Sequence, residues 1–186
     1  MNVQRVLQNI TAALGEAGVA YMLTGSFASA YHGSPRSTQD IDLVIAATPA
    51  QLRAFVGGLP DGKYYAALDA ALEAHKRESM FNVIDLESGW KIDLIIRKTR
   101  AFSQEEFGRR QPANVQGVTL FVASAEDVVL AKLEWAKRAH SQRQIEDAVG
   151  IMKIRRDALD RVYLEKWINQ LDLTKEWNEA RRLAEL

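Results

Sequence analysis

The chain contains no cysteine. That excludes disulfides and thiolate metal sites, and it fits a reducing compartment. It has no excess of either charge: 24 Lys and Arg face 24 Asp and Glu, so no strong field draws it to nucleic acid or to a membrane surface. No apolar run approaches the roughly 20 residues that cross a bilayer. Residues 1–18 scatter charge and amide groups where a secretory signal would be apolar. These absences together lead us to expect a cytoplasmic protein with no membrane partner. His32, His75 and His140 show no metal-ligand spacing and read as surface or capping residues. No P-loop and no Ser-His-Asp arrangement is visible, and neither is an internal repeat or a low-complexity linker.

At 186 residues the chain is one domain, or a domain with a helical extension, and is long enough to bury a good core. The overall charge balance hides a mild asymmetry. Residues 1–96 carry 7 basic and 10 acidic residues, and residues 97–186 carry 17 and 14. An acidic half suits metal, and a basic half suits phosphate.

The most informative stretch is Thr24 to Val44, TGSFASAYHGSPRSTQDIDLV. It reads as the end of a strand, a Gly-Ser turn, a short helix closed by Gly33-Ser34-Pro35, a loop, and a second strand. Asp40 and Asp42 alternate with Ile41 and Leu43, so both carboxylates share one strand face, about 7 Å apart. Charges beside a core are costly unless they are paired or bound to a cation. Hard cations such as Mg²⁺ take carboxylate oxygens and leave positions for phosphate. Asp93 sits in another apolar strand, WKIDLII. It can close the cluster from there, or alternate with Lys91 on a half-solvated face. Three carboxylates suit a two-metal in-line displacement. Gly25 and Ser26 would offer N–H groups and a hydroxyl to phosphate at a helix N-terminus, where Ser26 also reads as an N-cap.

Gly25-Ser26, Asp40-x-Asp42 some fifteen residues on, and a later strand Asp93 together resemble the DNA polymerase beta-type nucleotidyltransferase superfamily. Arg36 and Thr38 before the acid pair resemble the Arg-x-Thr-x-Asp form of its small bacterial members. The resemblance covers residues 19–96. It implies that Asp40, Asp42 and Asp93 bind two Mg²⁺ ions and catalyse nucleotidyl transfer from ATP or another nucleoside triphosphate. It also implies that Gly25 and Ser26 hold the triphosphate, with Arg36 close by. In the second half, Lys132, Ala136, Arg138, Arg143 and Asp147 are similar in part to the signature of AbiEii-like nucleotidyltransferases, with Gln144 where that signature has Asp. By that likeness Lys132 would approach the phosphates. The acceptor implied is a tRNA 3′ end, a protein or a small molecule, and a toxin or antitoxin partner is implied as well. The competing reading is a non-catalytic antitoxin or nucleotide sensor of the same fold.

The remaining pattern predicts an α+β fold. A mixed β-sheet with flanking helices occupies residues 1–123, and a helical bundle occupies 124–186. Helical spacing runs over 3–17, and a buried strand follows at 19–24. Thr48-Pro49 starts a helix over 50–57. Another helix covers about 66–76. Strands at 80–86 and 90–97 form a hairpin through Glu87-Ser88-Gly89. Ser103 caps a short helix over 103–110 with Glu106 three residues on. Residues 114–122 form one strand, or a hairpin turning at Gln116-Gly117. Helices then cover about 124–139, 141–154, 157–170 and 174–185, with Ser141, Asp157 and Thr174 as caps. Trp135, Trp167 and Trp177 are expected in the core, and Asp147 is expected to pair with Arg143 one turn away.

Overall fold

The computed structural model describes residues 3–35 and 37–186. Helix α1 (Val3–Glu16) turns Val6, Leu7, Ile10 and Leu14 inward at helical spacing. Strand β1 (Ala20–Leu23), helix α2 (Gly25–His32) and strand β2 (Asp40–Ala46) form the strand–helix–strand unit read from the sequence. Helix α3 (Pro49–Gly58) begins with a capping box between Thr48 and Gln51, and Pro49 occupies its first turn. A short strand β3 (Tyr64–Ala66), too brief to show alternation, precedes helix α4 (Leu68–Arg77).

Strands β4 (Met80–Asp85) and β5 (Lys91–Ile96) pair antiparallel. The Asp85 carboxylate accepts from the N–H groups of Glu87 and Ser88 and so fixes their turn. Helix α5 (Ala101–Gly108) starts two residues earlier than Ser103, so Ser103 is an interior residue that accepts from Arg100 Nε at 3.0 Å. Strands β6 (Gln111–Val115) and β7 (Val118–Val122) form a hairpin through Gln116-Gly117, both with positive φ, as the tight turn requires.

The strands build one seven-stranded mixed sheet in the order β3-β4-β5-β2-β1-β7-β6. Strand β2 lies at its middle, antiparallel to β1 and parallel to β5. Ile41, Leu43 and Ile45 of β2 are fully buried, as are Ile92 and Leu94 of β5. These residues alternate with the polar ones, so one sheet face is sealed while the other carries the aspartates. Helices α1, α3 and α4 pack against one another and on β1, β7 and β4.

After the sheet come helix α6 (Ala125–Ala139) and helix α7 (Gln142–Arg155), then a 3-10 turn at Arg156–Ala158. Helix α8 (Arg161–Gln170) and helix α9 (Thr174–Ala184) end the chain. Ser124 caps α6 by accepting from the Asp127 N–H. The cap of α8 is Asp160 rather than Asp157, because the 3-10 turn uses up the residues between. Ser141 makes no side-chain cap hydrogen bond, and the N-cap of α9 is Leu173 rather than Thr174, which is the first residue of the helix. Helix α6 packs on both α2 and α7, and one continuous apolar cluster joins sheet and helices.

His32 is buried rather than superficial. Its Nε2 lies 2.7 Å from the Ala123 carbonyl, and its Nδ1 lies 3.3 Å from an Arg155 nitrogen. Burial lowers its pKa. A neutral ring that donates from Nε2 and accepts at Nδ1 satisfies both contacts, and it ties α2 to the start of α6 and the end of α7. Trp167 is buried as expected, and Trp177 packs against the core edge.

Beneath α5, α6 and α8 lies a polar network. Asp127 is fully buried and accepts from Ser124, Tyr163 and Arg109. Glu106 is buried beside it, and burial followed by the Asp127 charge pushes its carboxyl up to about 8. The folded protein therefore keeps a proton that the unfolded chain releases near pH 4.5, so stability falls as pH rises from about 5 to 8. Glu106→Gln is expected to remove this loss. Thermal melts should show the variant little changed at pH 5 and more stable than wild type at pH 8, by on the order of 3 kcal/mol.

Candidate active site

Register decides the geometry of the acid cluster. Strands β2 and β5 run parallel with Asp40 opposite Lys91 and Asp42 opposite Asp93. In-register neighbours on adjacent strands project to the same face, about 4.8 Å apart. Asp42 and Asp93 therefore stand side by side, with Asp40 two residues along on the same face. Burial raises the Asp42 pKa, and the neighbouring charge of Asp93 and then that of Asp40 push it further in the same direction.

The cluster is answered by the chain's own donors. Asp93 is buried and accepts from the Asn82 side-chain amide at Oδ1. Its Oδ2 lies 3.1 Å from Lys91 Nζ, and the same ammonium lies 3.5 Å from Asp40 Oδ1. The Ser26 N–H hydrogen-bonds to Asp42, and the Lys132 charge also favours that carboxylate in its ionised form. Thr38 Oγ1 lies 3.2 Å from both the Asp40 N–H and its carbonyl, which sets the entry of β2.

Gly25 makes the close approach possible. Its φ is +63°, and a Cβ there would fall 2.6 Å from Asp42 Cγ. The Thr24 N–H donates to the Asp42 carbonyl at 3.0 Å, so β1 delivers this glycine directly beside the acid. Thr24, rather than Ser26, occupies the N-cap position of α2, and its side chain makes no cap bond. Ser26 sits inside the first turn, buried against the cleft.

A cleft of about 430 Å³ opens over this face. Gly25, Ser26, Asp40, Asp42, Asp93 and Lys132 all line it. Lys132 reaches it from α6, which is buried along this side, and pairs with Asp147 of α7 at 2.7 Å. Asp147 therefore holds Lys132, where pairing with Arg143 was expected; Arg143 instead opens onto the cleft. Arg138 pairs with Glu134 at 3.0 Å, away from the acids. Arg36 lies outside the described residues.

Trp135 is 57% exposed and lines the cleft mouth, contrary to its expected place in the core. It sits one turn beyond Lys132 on α6, whose packing partners are α2, α7, α8 and α9, and it is left open to the cleft. Sequence reasoning did not assign Asn82 or Trp135 to the site. Lys91 was visible as a same-face neighbour of Asp93, but not as its partner.

The donor set suits a hard divalent cation. Three carboxylates share a face, burial and then the neighbouring Asp93 charge raise the pKa of Asp42, and an ammonium already bridges two of them. Among the described residues, however, no three His, Asp or Glu side chains converge as a ready ligand cage. The register brings the acids together, while Asn82 and Lys91 hold the oxygens of Asp93.

Comparison with known proteins defines the class. The antibiotic-resistance factor ANT(2'')-Ia, in solution, superposes with a TM-score of 0.59 at 16% identity, covering 98% of each chain. An antigenic nucleotidyltransferase-like protein from Paracoccidioides brasiliensis gives 0.56 at 14%, covering 98% of this chain and 93% of that one. The lincosamide antibiotic adenylyltransferase LnuA, bound to lincomycin, gives 0.53 at 15%, covering 81% and 97%. At such identities the likeness establishes a nucleotidyltransferase fold. A family model described as "Nucleotidyltransferase of unknown function (DUF6036)" matches residues 2–184, and the chain belongs to that family. No curated protein sequence matches it.

Two substitutions test this geometry. Gly25→Ala places a methyl group against Asp42 in a left-handed conformation, so denaturant titration should show a loss of about 1–3 kcal/mol. Lys132→Met removes the cation between two buried or half-buried acids, with an expected cost of about 3 kcal/mol in the same assay. An unchanged midpoint in either variant would contradict the corresponding contact.

Proposed function

We propose that the protein transfers a nucleoside monophosphate from a nucleoside triphosphate to a hydroxyl acceptor and releases pyrophosphate. The observation that carries this reading is the in-register pair Asp42 and Asp93, joined by Asp40 on one face of a nucleotidyltransferase-fold sheet. Asp40, Asp42 and Asp93 would hold Mg²⁺, which when bound supplies neutralising charge to the phosphates of an in-line displacement.

The chain's own residues position and neutralise. The Ser26 hydroxyl and the first turn of α2 receive the triphosphate. Lys132 faces it from α6, and by the family resemblance Arg36 would add a further positive charge. As the acceptor oxygen bonds to the α-phosphorus, Asp93 takes the hydroxyl proton. The bond from that phosphorus to the bridging oxygen breaks, and pyrophosphate leaves with the electron pair. Chemistry of this kind asks mainly for positioning and charge stabilisation. The exposed indole of Trp135 offers a flat apolar surface at the cleft mouth for a base or an acceptor ring.

The same chemistry serves an RNA 3′ end, a protein hydroxyl or a small molecule. The fold shared with ANT(2'')-Ia and LnuA supports a small-molecule acceptor by analogy. An AbiEii-like role with a toxin or antitoxin partner rests on the partial helical signature, in which Asp147 serves here to hold Lys132. A second reading, a non-catalytic binding protein, draws on the way Lys91, Asn82 and the Ser26 N–H already occupy the acids.

One experiment separates the two. Purified protein is incubated with α-³²P-labelled NTPs, Mg²⁺ and either cell lysate or total RNA. Transfer of label to an acceptor, reduced roughly a thousandfold in Asp42→Ala, is the expected result. No labelled product with any of the four NTPs, from protein that still binds NTP, would favour the binding protein.

A further inference from the structure

Lys91 occupies an unusual position. Its Nζ lies 3.1 Å from Asp93 Oδ2 and 3.5 Å from Asp40 Oδ1, on the face that carries all three acids. No other cationic side chain among the described residues forms an ion pair with Asp40 or Asp93. The two contacts differ in kind from the Lys132–Asp147 pair. Both partners of that pair are buried, with side chains 6% and 8% exposed. The Lys91 side chain is 41% exposed and enters from the first residue of β5. Its long flexible stem can leave at little cost in packing, and it regains rotamer freedom when it does.

The need for such a cation follows from the register. Parallel pairing fixes Asp42 beside Asp93, and the backbone cannot relax that repulsion without breaking the centre of the sheet. The neutral Asn82 amide satisfies one oxygen of Asp93 but cancels no charge. The other oxygen faces an ammonium. A divalent ion seated between Asp40 and Asp93 would meet the Lys91 charge within a few ångströms, where like charges repel strongly at the effective dielectric of a protein surface. The ammonium and the ion cannot share that position.

We propose that Lys91 is a displaceable internal counter-ion. It holds Asp40 and Asp93 in place while the site is free of divalent metal, and it is expelled when metal enters. Metal affinity is thereby set by competition with a side chain of the protein itself. The proposal rests on the reading of the acids as metal ligands. It goes beyond that reading by assigning a metal-tuning role to a residue that is neither ligand nor base.

The test is Mn²⁺ binding without nucleotide, followed by electron paramagnetic resonance of the free ion. Wild type, Lys91→Met, Lys91→Arg and Asp42→Asn are compared, each checked for folding by circular dichroism, with Lys91→Gln replacing the Met variant if that does not fold. The Met variant should bind Mn²⁺ about tenfold more tightly than wild type. The Arg variant, which keeps the charge and can pair with carboxylates through two nitrogens, should bind no more tightly than wild type. The Met variant should also melt at a lower temperature than wild type without metal, and gain more from added Mn²⁺. Equal or weaker binding by the Met variant, with Mn²⁺ binding still lost in Asp42→Asn, overturns the counter-ion role and leaves the metal-ligand reading intact. Wild type and the Met variant binding no better than Asp42→Asn overturns both.

Discussion

The repulsion between Asp42 and Asp93 is the constraint around which the rest is arranged. Two like charges are fixed side by side by backbone pairing at the centre of a seven-stranded sheet. Neither can withdraw, because Ile41, Leu43, Ile92 and Leu94, which alternate with them, are locked into the opposite face. The price of a sealed core on one face is therefore a concentrated negative charge on the other. Several polar groups nearby answer it: the Ser26 N–H on Asp42, Asn82 and Lys91 on Asp93, and Lys132 in the cleft lining.

This gives the second half of the chain a part in the site. Lys132 belongs to α6, and its buried position depends on Asp147 of α7. The pair is expensive to desolvate and worth little to stability by itself. Its consequence is positional, because it holds an ammonium in the lining of the cleft that carries the acids. His32 works in the same direction by tying α2 to both α6 and α7, so the turn carrying Gly25 and Ser26 and the helix carrying Lys132 are braced together. The sheet and the later helices share one apolar cluster as well as this cleft.

How much of this was legible depends on the range of the interaction. Local patterns were readable. The alternation Asp40-Ile41-Asp42-Leu43 gives a strand with two faces, and Thr48-Pro49 and Ser124 give helix starts, because a few neighbouring residues determine each outcome. Elements of three residues, such as β3, carry too little pattern. The start of α5 before Ser103 shows how a plausible capping box can lose to backbone geometry when its glutamate is buried instead. Long-range partners were not readable. Arg143 and Asp147 are correctly spaced for a helical pair, but burial against α6 turns Asp147 toward Lys132. Trp135 follows the apolar spacing of α6, yet its indole faces the cleft rather than a packed neighbour. Whether Asp93 would meet Asp42 depended on strand order and register, which composition and periodicity do not specify.

The arrangement also bears on why, among the described residues, the three acids do not converge as a cage. A preformed cage of carboxylates with no cation would leave its charges facing one another across a half-buried cleft, and the folded state would bear that cost whenever metal was absent. Turning Asp93 onto Asn82 and Lys91 lets the sheet fold with its charge compensated. Under the proposed metal-binding role, the carboxylates would reach ligand geometry by side-chain rotation. Under that role, a site built this way would exchange some metal affinity for charge compensation within the chain. The compensating cation, Lys91, comes from the same strand as the acid it neutralises, so no further element is needed to place it.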